Sequence, residues 1–132
     1  MNHTRLTVSV VDDDESVRES LPDLLNEFGF RSEVFSSAEA FLHANSVSEF
    51  RCLILDVAMP GMTGPDLQDE LERRGQWMPI IYITAHKNEN TRLRLLERGA
   101  VACLFKPFSD AALQEALSSA MGGNEGVASP QP

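Results

Sequence analysis

The chain has 132 residues and a net charge of −9 from 20 acidic and 11 basic side chains, and 42% of its residues are hydrophobic. That length is expected to form one domain with a single real core. The acidic balance argues against direct binding of nucleic acid or anionic membranes, and no apolar run approaches the roughly 20 residues that span a bilayer.

Residues Met1 to Arg5 are polar and carry no export signal, which makes the cytoplasm the expected compartment. The apolar, β-branched run Leu6 to Val11 predicts a first strand, and it ends in Asp12-Asp13-Asp14. Val17, Leu21, Leu24, Leu25 and Phe28 recur at helical spacing and predict a first helix, capped by Asp14 or Ser16 and stopped at Gly29. Pro22 falls inside that helix, removes the bond to the Arg18 carbonyl, and is expected to kink the rod or bend its first two turns. Val34-Phe35 predicts a second strand. Ala38, Phe41 and Leu42 predict a second helix, with Ser36 and Glu39 at capping-box spacing. Cys52 to Leu55 predicts a third strand that leads into Asp56, and Gly64-Pro65 opens a third helix carrying Leu67 and Leu71 and stopping at Gly75. Ile80 to Ile83 predicts a fourth strand followed by Thr84, and Leu93 and Leu96 mark a fourth helix that ends at Gly99. Val101 to Phe105 predicts a fifth strand followed by Lys106-Pro107, and Leu113 and Leu117 lie on a fifth helix that Ser109 caps. The Gly-, Ser- and Pro-containing end has no apolar pattern, so a domain over 1–121 and a flexible tail or truncated linker over 122–132 are expected.

Strict alternation of strand and helix predicts an α/β fold: a doubly wound, five-stranded parallel sheet with five helices in the flavodoxin-like order 2-1-3-4-5. Ligands in such sheets bind beyond the carboxyl ends of the strands, near the switch in strand order. That crevice would gather Asp12 and Asp13, Asp56, Thr84 and Lys106. Three carboxylates there would repel one another and raise at least one pKa unless a cation is present, and a hard divalent ion such as magnesium or manganese suits an all-oxygen set. Asp12 to Asp14 alone have a simpler reading as an acidic cap on the first helix. Asp56 does not, because the next helix begins only near Gly64. A carboxylate attacks phosphorus when charge on the phosphoryl oxygens is neutralised, with Lys106 as a point charge and Thr84 as a hydroxyl donor.

Four separated motifs, Val10 to Asp14, Leu55 to Gly64, Ile81 to Ala85 and Lys106-Pro107-Phe108, resemble those of receiver domains of two-component response regulators, over residues 5 to 121. Val17 to Leu21, Ser37 to Leu42, Met59 to Met62 and Gly99 to Val101 are most similar to the nitrogen-fixation and nitrate regulator branch. The resemblance implies a CheY-like fold with Asp56 as phosphoacceptor. It also implies a metal held by Asp13, Asp56 and the Ala58 carbonyl, with Asp12 acting directly or through water. A sensor histidine kinase or a small acyl phosphate would be the donor, and the output face would be helix 4, strand 5 and helix 5. Arg92, Arg94 and Arg98 are candidate contacts in a phosphorylation-dependent dimer, against the plainer reading of solvated helix charges.

Receivers usually carry an aromatic residue three positions before the Lys-Pro lysine, where this chain has Cys103. Phe105, two residues on and on the same strand face, is the expected substitute. Ala58 and His86 flank the expected phosphate and are candidates for tuning water access, with a solvated loop histidine as the alternative for His86. His3 and His43 read as surface residues, Trp77 as packing or loop anchoring, and Met59, Met62 and Met78 as core and loop fillers. Cys52 and Cys103 are expected as buried free thiols on strands separated by a third. A metal-dependent phosphohydrolase with an aspartate nucleophile generally needs a second acid two residues on, where Ala58 stands. Flavin binding is disfavoured because Asp12-Asp13-Asp14 would repel its phosphate. A receiver-shaped interaction module that is never phosphorylated would be expected to lose one of the charged residues retained here. The expected role is a signalling phosphoacceptor and not a turnover enzyme, with a DNA-binding domain attached if the tail is a cut linker.

Overall fold

Five short runs rich in Val, Ile and Leu become the parallel strands β1 (Thr7–Val11), β2 (Arg31–Phe35), β3 (Cys52–Asp56), β4 (Ile80–Thr84) and β5 (Ala102–Phe105). Between and after them lie α1 (Glu15–Glu27), α2 (Ala38–Leu42), α3 (Gly64–Arg73), α4 (Glu89–Glu97) and α5 (Asp110–Ala120), with a 3-10 turn at Val47–Glu49. These come from a computed structural model, which describes residues 6–44 and 47–122. The sheet order is β2-β1-β3-β4-β5, as the alternation predicted. His3, and the expected tail from residue 123, lie outside the described residues.

Helices cover both faces, so β3 and β4 are buried at every position. On one face Phe41, Leu67, Leu71 and Leu95 from α2, α3 and α4 pack against Leu53, Leu55 and Tyr82. On the other, Leu21 and Leu25 of α1 and Leu113 and Leu117 of α5 pack against Val8, Val10, Ile54 and Ile81. Cys52 and Cys103 are free and buried, on β3 and β5 with β4 between them.

Several sequence expectations need correction. Ser37, not Ser36, caps α2 by accepting from the Ala40 N–H at 3.0 Å, and Glu39 instead accepts from the Met62 N–H at 3.3 Å. Strand β2 begins three residues before Val34-Phe35, because an edge strand with exposed side chains has no apolar signature there. Leu93, expected on the buried face of α4, is 46% exposed, and Leu95 is buried in its place. Trp77, expected to pack or anchor its loop, is 79% exposed and therefore lies outside the core. Pro22 does lie inside α1, as expected.

Candidate functional site

The strand register decides what meets at the carboxyl edge. Val11 pairs with Leu55, which sets Asp12 beside Asp56, and Asp56 pairs with Ile83, which sets Thr84 just beyond it. Thr84 pairs with Phe105, so the chain leaves β5 into Lys106 at the same edge. The Lys106–Pro107 peptide is cis.

The Asp12-Asp13-Asp14 triplet divides its roles. Asp14 is the helix cap: its Oδ1 accepts from the Ser16 N–H at 3.0 Å and from the Ser16 hydroxyl at 2.8 Å. Asp12 is fully buried; its Oδ1 accepts from the Asp14 N–H at 2.9 Å and its Oδ2 from the Lys106 ammonium at 2.8 Å. Asp13 is exposed and turns toward Asp56. One carboxylate oxygen from each of Asp12, Asp13 and Asp56 lies within 4.8 Å of the others. The cap reading of the triplet therefore holds for Asp14, while Asp12 and Asp13 gather with Asp56.

Charge crowding has the expected consequence. Burial, followed by the charge of Asp12, pushes the Asp56 carboxyl up to about 7, against the opposing pull of Lys106. Burial works against the Lys106 ammonium, but its hydrogen bond to Asp12 and the charges of Asp12, Asp56 and Asp14 outweigh it and hold its pKa above the ordinary lysine value. The donor set is all carboxylate, two of its members buried, which fits a hard divalent cation.

Thr84 is buried, and its Oγ1 accepts from the His86 N–H at 3.1 Å, which leaves the hydroxyl hydrogen to donate. The His86 side chain is exposed at the start of the β4–α4 loop, and Ala58 is exposed in the β3–α3 loop. Cys103 is buried opposite Tyr82, and burial raises its thiol pKa. Phe105 is half-buried opposite Thr84. Sequence reasoning missed the supports around these groups. Arg18 Nη1 donates to the Asp12 carbonyl at 3.0 Å, and Gly64 sits so close to the Asp56 backbone that a Cβ there would lie 2.4 Å from the Asp56 oxygen. Neither a surface arginine nor a helix-opening glycine announces such a contact.

Residues 8–118 match the response regulator receiver domain family. The chain belongs to that family. This receiver is 40% identical over 117 residues to the transcriptional regulatory protein FixJ of Azorhizobium caulinodans, covering 89% of this chain and 56% of that protein. It is 38% identical over 121 residues to the response regulator protein TmoT of Ectopseudomonas mendocina, covering 92% of this chain and 55% of that protein. The receiver thus spans about half the length of these curated relatives. The solved structure of FixJ-N superposes with a TM-score of 0.78 at 34% identity, over 97% of this chain and 100% of that one. The resemblance to the nitrogen-fixation branch holds at the level of both sequence and fold, and places this receiver among signalling proteins of two-component response regulators.

Proposed function

We propose that Asp56 accepts a phosphoryl group and that this charge change switches the receiver between two states. The observation that carries the reading is the convergence, at one sheet edge, of a buried Asp56 with Asp12, Asp13, Thr84 and Lys106. An ionised Asp56 oxygen attacks phosphorus; the bond from phosphorus to the donor's histidine nitrogen or acyl oxygen breaks, and that atom leaves with the electron pair. Magnesium or manganese, held by Asp12, Asp13, Asp56 and the Ala58 carbonyl, would keep the carboxylates ionised and draw charge from the phosphoryl oxygens. Lys106, now on Asp12, is placed to shift its ammonium onto a phosphoryl oxygen, and the Thr84 hydroxyl is placed to donate to another. No acid stands at position 58 to activate water, so transfer from a reactive donor outpaces hydrolysis and the chain acts as a signal carrier and not as a turnover enzyme. His86, at the mouth of the site, tunes that hydrolysis.

The donor is a sensor histidine kinase in the cytoplasm, approaching along an open groove of about 710 Å³ between α1 and the β5–α5 loop, lined by Val17, Leu21, Leu24, Lys106 and Phe108. Drawing Thr84 inward repacks Phe105, its neighbour on β5, and alters α4, β5 and α5, where two phosphorylated copies associate. Nucleic acid contact, if the parent protein is a regulator of transcription like the transcriptional regulatory protein FixJ, belongs to residues other than 1–121. Incubation with acetyl phosphate and magnesium, followed by intact mass measurement, tests the reading. One added phosphoryl group on wild type and none on Asp56→Asn is expected; no addition to wild type, or equal labelling of both, overturns it.

A further inference from the structure

Cys103 leaves its own position on β5 without a ring, yet the neighbouring strand supplies one directly across from it. Tyr82 lies directly across from Cys103 in the β4–β5 ladder, two residues before Thr84 and on the same face of its strand. It is fully buried, and its hydroxyl donates to Gln68 Oε1 on α3 at 2.6 Å. Burial raises its pKa, so the phenol stays a donor. Gln68, also buried, extends Nε2 to the Arg98 carbonyl at the end of α4 at 3.4 Å. Arg98 in turn binds Asp69 of α3 at 2.6 Å. The ring edge beside the hydroxyl also reaches the site, since its Cε1 is 3.0 Å from the place of a Cβ at Gly64, the residue pressed against the Asp56 carbonyl.

We propose that Tyr82 is a positioning residue that carries the change at Asp56 to the carboxyl end of α4, through Gly64 on one side and the Gln68–Arg98 link on the other. The inference rests on Asp56 being the phosphoacceptor. A displacement of the β3–α3 loop or of β4 at Thr84 moves the ring, because close-packed atoms transmit a shift instead of absorbing it. The ring cannot move without stretching a buried hydrogen bond whose loss leaves the Gln68 oxygen unsatisfied, so Gln68 and the Arg98 carbonyl follow. This route ends at the α3–α4 seam and is separate from any movement of Phe105 on β5.

The test compares backbone amide shifts in the full chain, free and in excess acetyl phosphate with magnesium, for wild type, Tyr82→Phe and Gln68→Met. Intact mass is read on the same samples. Wild type is expected to shift both beside the site, at Val57 and Ala85, and at Arg98 to Ala100. Each variant should take up the phosphoryl group and keep the shifts beside the site, while those at Arg98 to Ala100 shrink by at least about threefold. A merely structural tie would lower the unfolding midpoint and leave those shifts at wild-type size, and that result overturns the inference. So does a labelled wild type whose Arg98 to Ala100 amides do not respond. Absence of label on wild type overturns the phosphoacceptor reading itself. Gln68→Met leaves the ring in place and answers the question even where Tyr82→Phe folds poorly.

Discussion

Gly64 has no room for a side chain, because the atom nearest its missing Cβ is the Asp56 backbone oxygen and not a movable side chain. Gly64→Ala should therefore cost about 1–3 kcal/mol in urea unfolding and slow labelling of Asp56 by displacing the strand end that carries it. Asp56 itself works against folding when ionised. Its carboxyl is pushed up to about 7 by burial and by Asp12, so between the ordinary carboxylate range and that value the folded chain holds a proton the unfolded chain has lost. The stability from that proton is full at the acid end and is lost as pH rises through about 7. Without divalent metal, Asp56→Asn should gain on wild type by about 1–3 kcal/mol between pH 5 and pH 8, measured by denaturant unfolding. Added magnesium at pH 8 should close much of the gap by stabilising wild type alone. A difference that does not change with pH would contradict the crowding of Asp12 and Asp56. At His86, exposed, with its backbone N–H on Thr84 Oγ1 and its carbonyl accepting from the Asn88 N–H, the alanine variant separates a role in hydrolysis from none by the lifetime of the phosphorylated form.

The elements show what a one-dimensional pattern carries. All five strands and five helices follow from apolar periodicity, and Gly29, Gly75 and Gly99 end their helices with positive φ, as their positions predicted. The edge that gathers the candidate site was legible for the same reason: a strand read from its apolar run delivers the polar residue that follows it to the carboxyl end, which located Asp12, Asp56, Thr84 and Lys106. The division of labour within Asp12 to Asp14 was partly legible: Asp14 stood among the cap candidates and Asp12 and Asp13 at the crevice, but residue type alone left an acidic cap open for the whole triplet. Asp14→Ala should remove the cap of α1 at a cost of about 1 kcal/mol and leave Asp56 labelling intact, which unfolding and intact mass together check. The Tyr82–Gln68 bond was equally hidden, because it joins polar atoms of two elements whose spacing reports only that both face the core. Whether β5 also takes part is read at Phe105: an unchanged side-chain environment by NMR in the free and phosphorylated forms would remove it from the switch.

For the molecule as a whole, the two cores lie on the faces of the sheet and the proposed charge change falls at its carboxyl edge, so about two added negative charges act first on loops and helix ends and reach the interior only through a buried side chain such as Tyr82. The exposed Leu93 on α4 sits on the face proposed for association. Acetyl phosphate with magnesium should raise the solution mass toward that of a dimer by light scattering, and Leu93→Glu should prevent this without reducing labelling; a monomer in both states would remove the dimer from the account. Of the three carboxylates gathered within one cluster, only Asp56 is proposed as the nucleophile. Reduction of the phosphorylated chain with borohydride, which converts an acyl-phosphate aspartate to homoserine, followed by peptide mass mapping, tests it most directly. Homoserine at position 56 alone is expected; homoserine at position 12 or 13, or at none, would overturn the assignment of Asp56 as nucleophile.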